Sequence, residues 1–342
     1  MKIAIIGAYP PPYGGISIHI QRLYALLKHN GHDVFVFKNI TAPRWLIAAW
    51  GKWFKYDVVH FHDTSVKGRV LIGLLGALGL NVVLTIHGDS LKNQLACSGW
   101  LKRSLLTFSM QHIGHIVGVK AEIRDIVLSL GVKPSQVSVI NAYLPPILEK
   151  DELIPRNIVE FAELHTHLIV ANGFGVIPLS KETDLYGIEM TIALCARLAK
   201  NYPRLGCLFF LAQIGDQKRY DDLTVKISRL GLNDHFRFIV GESLVPALKQ
   251  ATIFVRPTFQ DGYGVSVTEA LYLGVPALAS DICERERGAI VFKCGDSDDF
   301  YWRTRQILDD YKTTKQTVQA IKPMSAYEPL LTIYQRVCTF TN

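Results

Sequence analysis

The chain has 342 residues, 49% of them hydrophobic and 20% charged. That composition and length exclude a fibrous, disordered or disulfide-scaffold protein and leave room for two domains with separate cores. Residues 1–150 carry 16 Lys and Arg against 7 Asp and Glu, whereas the remainder carries 21 against 23, so an anionic partner or surface is expected for the first half. No basic stripe interleaved with aromatics occurs, which argues against nucleic acid.

Met1-Lys2 leads straight into Ile3–Gly7, a strand-like run that predicts no secretory signal. A loop rich in proline and glycine, Tyr9-Pro-Pro-Pro-Tyr-Gly-Gly15, precedes a helix with apolar residues at Ile16, Ile20, Leu23 and Leu27. Asn30-Gly31 ends it, and Val34–Phe37 is the next strand. The segment Pro43–Lys55 mixes three tryptophans with Arg44, Lys52 and Lys55. That mix predicts a helix lying on a membrane surface, with inward packing of the tryptophans as the alternative. Tyr56–His62 and Val82–Ile86 read as strands that lead into histidines. The apolar run 70–86 splits into a helix, Gly68–Leu80, and the second of those strands; it falls short of the ~20 apolar residues that span a bilayer.

His115–Val119 and Val137–Ile140 complete the first set of strands, and the proline-bearing stretch from Leu144 to Pro155 reads as a linker. The second half repeats the alternation. Strands are predicted at Leu168–Ala171, Cys207–Ile214, Phe236–Val240, Ile253–Val255 and Pro276–Ala279. Helices are predicted at Tyr186–Asn201, Asp221–Leu230 and from Met324 on. Short apolar strands alternating with helices imply parallel sheets covered on both faces. The expected fold is therefore α/β, with Rossmann-like doubly wound domains over 1–150 and 160–322 and a terminal helix, 323–342. The six cysteines are scattered, with no C-x-x-C and no histidine at zinc spacing, and read as reduced thiols of a cytoplasmic protein with no metal site.

In open parallel sheets ligands bind beyond the carboxyl ends of the strands. One candidate is Gly14-Gly15 at a helix start, where backbone amides could meet a phosphate, or where two glycines simply make a turn. A second is His87, after a strand and next to Gly88, with His60 and His62 in comparable positions. The third and strongest is the run from Arg256 through Asp261-Gly262-Tyr263-Gly264-Val265-Ser266 to Glu269. Amides at this helix start can hold a diphosphate, and a carboxylate close behind can accept two hydrogen bonds from a ribose. Glu269 could also serve only the helix dipole. No G-x-G-x-x-G follows the first strand of either half, so a dinucleotide-dependent oxidoreductase is disfavoured.

The ordered run Asp261-Gly-Tyr-Gly264, Glu269-Ala270 and Gly274-Val-Pro276 resembles the E-x7-E signature of the retaining glycosyltransferases of family 4, with Asp in the first place. Gly14-Gly15, Gly31-His-Asp-Val34, Asp57-Val-Val-His60, Thr85-Ile-His-Gly88, Gly215 and Gly241 extend the likeness along the chain. The resemblance implies the GT-B fold, in which two such domains face each other across a cleft and the last helix returns to the first domain. It also implies a UDP- or GDP-type sugar nucleotide as donor, no cofactor and no metal. The basic, tryptophan-bearing first half favours a glycan or lipid-linked hydroxyl in polysaccharide synthesis as acceptor, with peripheral contact to the inner membrane face. Glu269 would bind the donor ribose, Asp261 the transferred sugar, His87 the sugar near the reacting centre, and Gly14-Gly15 the diphosphate. Family members carry Gly-Arg after the second domain's first strand and Lys-Gly at the next helix start. Here those places read Asn172-Gly-Phe174 and Leu185-Tyr186-Gly187. Lys181 or Arg256 could supply the missing cation; without one, a weakly catalytic binding or scaffolding partner is the alternative.

Overall fold

The computed structural model describes residues 1–38, 50–62, 65–147 and 155–339. It divides into two compact units. The first comprises Met1–Pro10, Gly15–Ile147 and Ser325–Asn342, the second Pro11–Gly14 and Leu148–Met324.

The first unit holds strands β1 (Lys2–Gly7), β2 (Asp33–Lys38), β3 (Val58–Phe61), β4 (Val82–Ile86), β5 (His115–Gly118) and β6 (Val137–Val139). They form one sheet in the order β2-β1-β3-β4-β5-β6, every pair parallel. The central strands β3 and β4 are buried along their whole length, as unbroken Val/Ile/Leu runs demand, while edge strand β2 alternates with solvent. One face is covered by the helix Gly15–His29, through Ile20, Leu23 and Leu27, and by the last helix, Tyr327–Thr339, through Leu330, Ile333, Tyr334 and Val337.

The second unit holds β7 (His167–Gly173), β8 (Leu205–Leu211), β9 (Phe236–Val240), β10 (Ile253–Arg256), β11 (Ala277–Ser280) and β12 (Ile290–Phe292) in the order β12-β11-β10-β7-β8-β9. It too is wholly parallel. Alternate residues of β7 and β8 feed two separate cores. Ile169, Ala171, Cys207 and Phe209 face the helices Ile188–Leu198, Gln217–Arg229 and Ser297–Asp309. Leu168, Val170, Leu208 and Phe210 face Arg156–Leu164 and Val265–Tyr272.

Both sheets reverse their winding once. The reversal lies between β1 and β3 in the first and between β7 and β10 in the second. Such a switch point opens a crevice beyond the strand ends, because the two flanking connections leave in opposite directions.

Two doubly wound sheets are what the sequence predicts. The differences are local. Arg156–Leu164 is a helix whose Ile158 and Phe161 are core residues, directly after the stretch read as linker. The edge strand β12 was not expected, being only three residues long. Of the tryptophan-bearing segment, residues 43–49 lie outside the described residues. Trp53 is buried, against Phe37 at 5.1 Å, so this side chain takes the inward alternative.

Candidate functional site

Arg256 ends β10 and Asn172 and Gly173 end β7, so these residues flank the switch point of the second sheet. The Arg256 side chain is buried and fully directed. Its Nε donates to Asp261 Oδ2 at 3.1 Å, and its Nη1 donates to the Asn172 backbone carbonyl at 2.8 Å and to Asn172 Oδ1 at 3.0 Å. The guanidinium lies 5.1 Å from the Tyr186 ring centre, a cation–π distance. Nη2 makes no hydrogen bond among the described residues. Arg256 thus touches the two segments that lack the cations implied by the family resemblance, through Asn172 beside the Gly173-Phe174 pair and through Tyr186 before Gly187.

Asp261 has a second guanidinium partner. Arg285, deeply buried in the loop between β11 and β12, donates from Nη1 to Asp261 Oδ2 at 2.9 Å. Its Nε is fixed by the Ser280 carbonyl at 2.9 Å. Burial alone would raise the Asp261 carboxyl, but the charges and hydrogen bonds of Arg256 and Arg285 outweigh it and hold the group below the ordinary carboxylate range. Asp261 is therefore ionised, and the triad carries a net charge of +1. The other carboxylate oxygen accepts from the Gly262 amide at 3.1 Å.

The helix Val265–Tyr272 starts immediately beyond. Gly264 caps it in the left-handed region (φ 74°) and has no side chain to offer the first-turn amides; the Val267 amide donates to the Gly264 carbonyl at 2.8 Å, while those of Val265 and Ser266 precede the first intrahelical bond. Gly264 tolerates no side chain: a Cβ there would run into the Arg285 guanidinium and come within 3.2 Å of Asp261. Ser266 and Glu269 are buried in the first two turns of this helix. The Tyr263 side chain turns aside, donating to Glu286 Oε2 at 2.6 Å; burial, and then that bond, raise its phenol well above the usual range.

Other expected residues fall elsewhere. Lys181 is exposed and lines a cavity of about 580 Å³ with Asp184, Glu189, Arg219 and Lys226, whose lining includes none of Arg256, Asp261 or Glu269. Gly241 (φ 77°) follows β9, three strands from β10 and so about 14 Å away at ordinary strand spacing. Gly14 precedes and Gly15 opens the first helix of the first unit; a Cβ on Gly15 would meet nothing within 4 Å, so packing does not require glycine there.

His87 lies past β4 in the first unit, with His62 past β3 and His19 on the helix Gly15–His29. His62 Nδ1 and His87 Nε2 are 2.9 Å apart, and the His19 ring centre is 5.3 and 4.9 Å from those of His62 and His87. Burial, followed by the neighbouring imidazoles, lowers His62 and His87 well below the usual histidine range; burial, and then the charge of Arg22, lowers His19 to about 4. His60 is structural: its nitrogens meet Tyr334 Oη at 2.6 Å and Thr85 Oγ1 at 2.7 Å.

Sequence reasoning missed Arg285 and His19. Arg285 stands in the charged run Glu284-Arg-Glu-Arg287, which reads as a solvated loop. His19 sits on a helix whose apolar period passes beside it.

Two doubly wound α/β units, each with a six-stranded parallel sheet, are the architecture of the GT-B fold, and comparison with known proteins agrees. The model of the glycosyl transferase 4-like domain matches residues 36–142, and that of glycosyl transferases group 1 matches residues 183–324. An uncharacterized glycosyltransferase of Methanocaldococcus jannaschii is 22% identical, over 91% of this chain and 90% of its own. Among solved structures, HepE of Anabaena in complex with UDP-glucose superposes with a TM-score of 0.69 at 15% identity, covering 99% of both chains. WaaG, a glycosyltransferase involved in lipopolysaccharide biosynthesis, gives 0.61 at 14%, again over 99% of both. The chain belongs to the family 4 glycosyltransferases and has the GT-B fold.

Proposed function

We propose that the chain moves a hexose-type sugar from a nucleoside-diphosphate sugar to a hydroxyl of a glycan or lipid-linked acceptor, with retention of configuration. The observation that carries this reading is the Arg256 guanidinium, fixed between Asn172, Tyr186 and Asp261 beside the uncapped start of Val265–Tyr272. In the transfer the bond from the anomeric carbon to the diphosphate oxygen breaks, and the acceptor oxygen bonds to that carbon on the same face. The acceptor proton passes to the departing diphosphate. Negative charge grows on that diphosphate, and pre-aimed cations and amides stabilise it without reorganising. Arg256 supplies the cation through its unengaged Nη2, and the amides of Val265 and Ser266 supply the dipoles. Asp261 and Arg285 hold the guanidinium in place, and Glu269 takes the ribose hydroxyls.

This reading changes the role expected for Asp261 from sugar contact to orienter of Arg256, because its Oδ2 is shared by two arginines. It also removes the motive for a non-catalytic scaffold, which was the lack of a cation at this place. A UDP-type donor is favoured by the UDP-glucose complex of HepE, and a polysaccharide or lipopolysaccharide acceptor by WaaG. The test is a panel of UDP- and GDP-sugars, read by thermal shift and by release of nucleoside diphosphate. At least one donor should bind and turn over, and Glu269→Ala should raise its KM about 10- to 100-fold, the worth of hydrogen bonds to a charged group. A panel without any binder, or a Glu269→Ala enzyme that behaves as wild type, rejects the proposal.

The same reading includes peripheral contact with an anionic membrane. Among the described residues no helix is long and apolar enough to cross one. The helix Trp100–Gln111 instead exposes Trp100 (80%), Leu101, Leu105 and Phe108 beside Lys102 and Arg103. Aromatic and aliphatic side chains next to basic ones suit the headgroup region. Co-sedimentation with phosphatidylglycerol vesicles is expected, and the double variant Trp100→Glu, Leu105→Glu should abolish it. Equal sedimentation of the variant would remove this surface from consideration.

A further inference from the structure

We infer that His19, His62 and His87 form a binding site for one divalent transition-metal ion of the zinc class. One ring nitrogen from each lies within 4.8 Å of the other two. The three rings come from three different elements at the carboxyl end of the first sheet, next to its β1/β3 switch point. No sequence spacing reveals them, since His62 and His87 alone are 25 residues apart.

The hydrogen bonds prepare the rings as ligands. His19 Nδ1 is 2.8 Å from the Ala142 carbonyl, which can only accept, so the proton resides on Nδ1 and Nε2 is a bare lone pair. A ring nitrogen anchored on a carbonyl in this way is the usual outer support of a metal-bound histidine. That His19 Nε2 is buried and has no partner among the described residues, and the same holds for His62 Nε2. Native proteins rarely leave buried polar atoms unsatisfied without a ligand or a function. His60, although close by, has both nitrogens engaged and stays out of the set.

The donor set selects the metal. Three neutral imidazoles without a carboxylate suit Zn²⁺, Co²⁺, Ni²⁺ or Cu²⁺, whereas Mg²⁺ and Ca²⁺ require oxygen ligands. Tetrahedral coordination at 2.0–2.1 Å needs nitrogens about 3.4 Å apart, so the rings must draw together slightly. His87, only half-buried, has the freedom to rotate. The fourth position would go to water or an exogenous ligand.

The test uses the full-length protein, stripped with a chelator and titrated with Co²⁺, following its visible d–d absorption. One equivalent should give a saturable spectrum without a thiolate charge-transfer band, and one equivalent of Zn²⁺ should abolish it. His19→Ala and His87→Ala should each weaken binding at least about tenfold, while His112→Ala, which alters an exposed histidine, leaves it unchanged. His19→Gln provides a second variant should the alanine fail to fold, with thermal melts of the metal-free proteins reporting folding. No saturable spectrum, or one insensitive to His19 and His87, overturns the site. The readout needs no sugar nucleotide, so its failure is separate from a failure of the donor reading.

Discussion

Arg256→Ala is expected to lower kcat by about 100- to 1,000-fold, the usual loss when a pre-aimed electrostatic group is removed from a developing anion. The size follows from its place: Arg256 lies against Asn172 and Tyr186, in the two segments that lack the Gly-Arg and Lys-Gly expected from the family resemblance. The fold should survive, because Asp261 keeps Arg285 as a partner and is not left as an uncompensated buried charge. Arg256→Lys should recover only part of the loss. An ammonium restores the charge but cannot span Asp261 and Asn172 with a rigid fork. Lys181→Ala, at an exposed residue without a hydrogen bond to the triad among the described residues, should stay within a few-fold of wild type. Steady-state kinetics on these three variants, with melting curves to show folding, decide the matter. Full turnover by Arg256→Ala, or a collapse in Lys181→Ala, would assign the diphosphate to another cation.

The second large effect is on stability in acid. His115 on β5 is buried, bonded through Nε2 to Ser138 Oγ at 2.9 Å. Burial, and then the positive charge of Arg336, lower its pKa from 6.5 to about 4. Between those values the unfolded chain binds a proton that the folded chain refuses, so stability must fall as the pH falls through this window. It is fully present above about pH 6.5, and the loss approaches about 3 kcal/mol near pH 4. Thermal melts from pH 7.5 to 4.5, with chelator present, should show a steeper acid decline in wild type than in His115→Gln. Parallel declines in the two proteins would show that this ring does not set the acid limit.

Much of the fold is legible in the sequence. Runs such as Ile3-Ala-Ile-Ile6 and Val82-Val-Leu-Thr-Ile86 are apolar on both faces, which only a covered parallel strand can use. Legibility fails where context outweighs pattern. The helix Arg156–Leu164 follows a proline that resembles the end of a linker, and its burial depends on Ile158 and Phe161 reaching the core beneath β7 and β8. Trp53 belongs to a segment with interfacial composition, yet packs inward on Phe37, and composition cannot tell those outcomes apart.

The site divides along the same line. Glu269 and Gly264 are visible in the sequence because their spacing is local to one loop and one helix. The positive left-handed φ of Gly264 and its closeness to Arg285 give the physical reason for the glycine. Lys181 and Arg256 are indistinguishable as sequence, each being a lone cation near a loop. The topology separates them by setting β10 beside β7. Arg285 could not be anticipated, since its partner is 24 residues away across a strand. The histidine cluster is similar: three rings from three elements meet only once the strands are ordered.

Calorimetric titration of UDP and GDP into wild type, Arg256→Ala and Glu269→Ala tests the donor site without relying on turnover. Wild type should show saturable one-site binding of at least one nucleotide. Arg256→Ala should bind it at least about tenfold more weakly, the scale of a lost charge-assisted hydrogen bond, and Glu269→Ala should be weakened similarly. Wild-type affinity in both variants, or no binding of either nucleotide to the folded wild-type protein, would contradict the donor-site assignment.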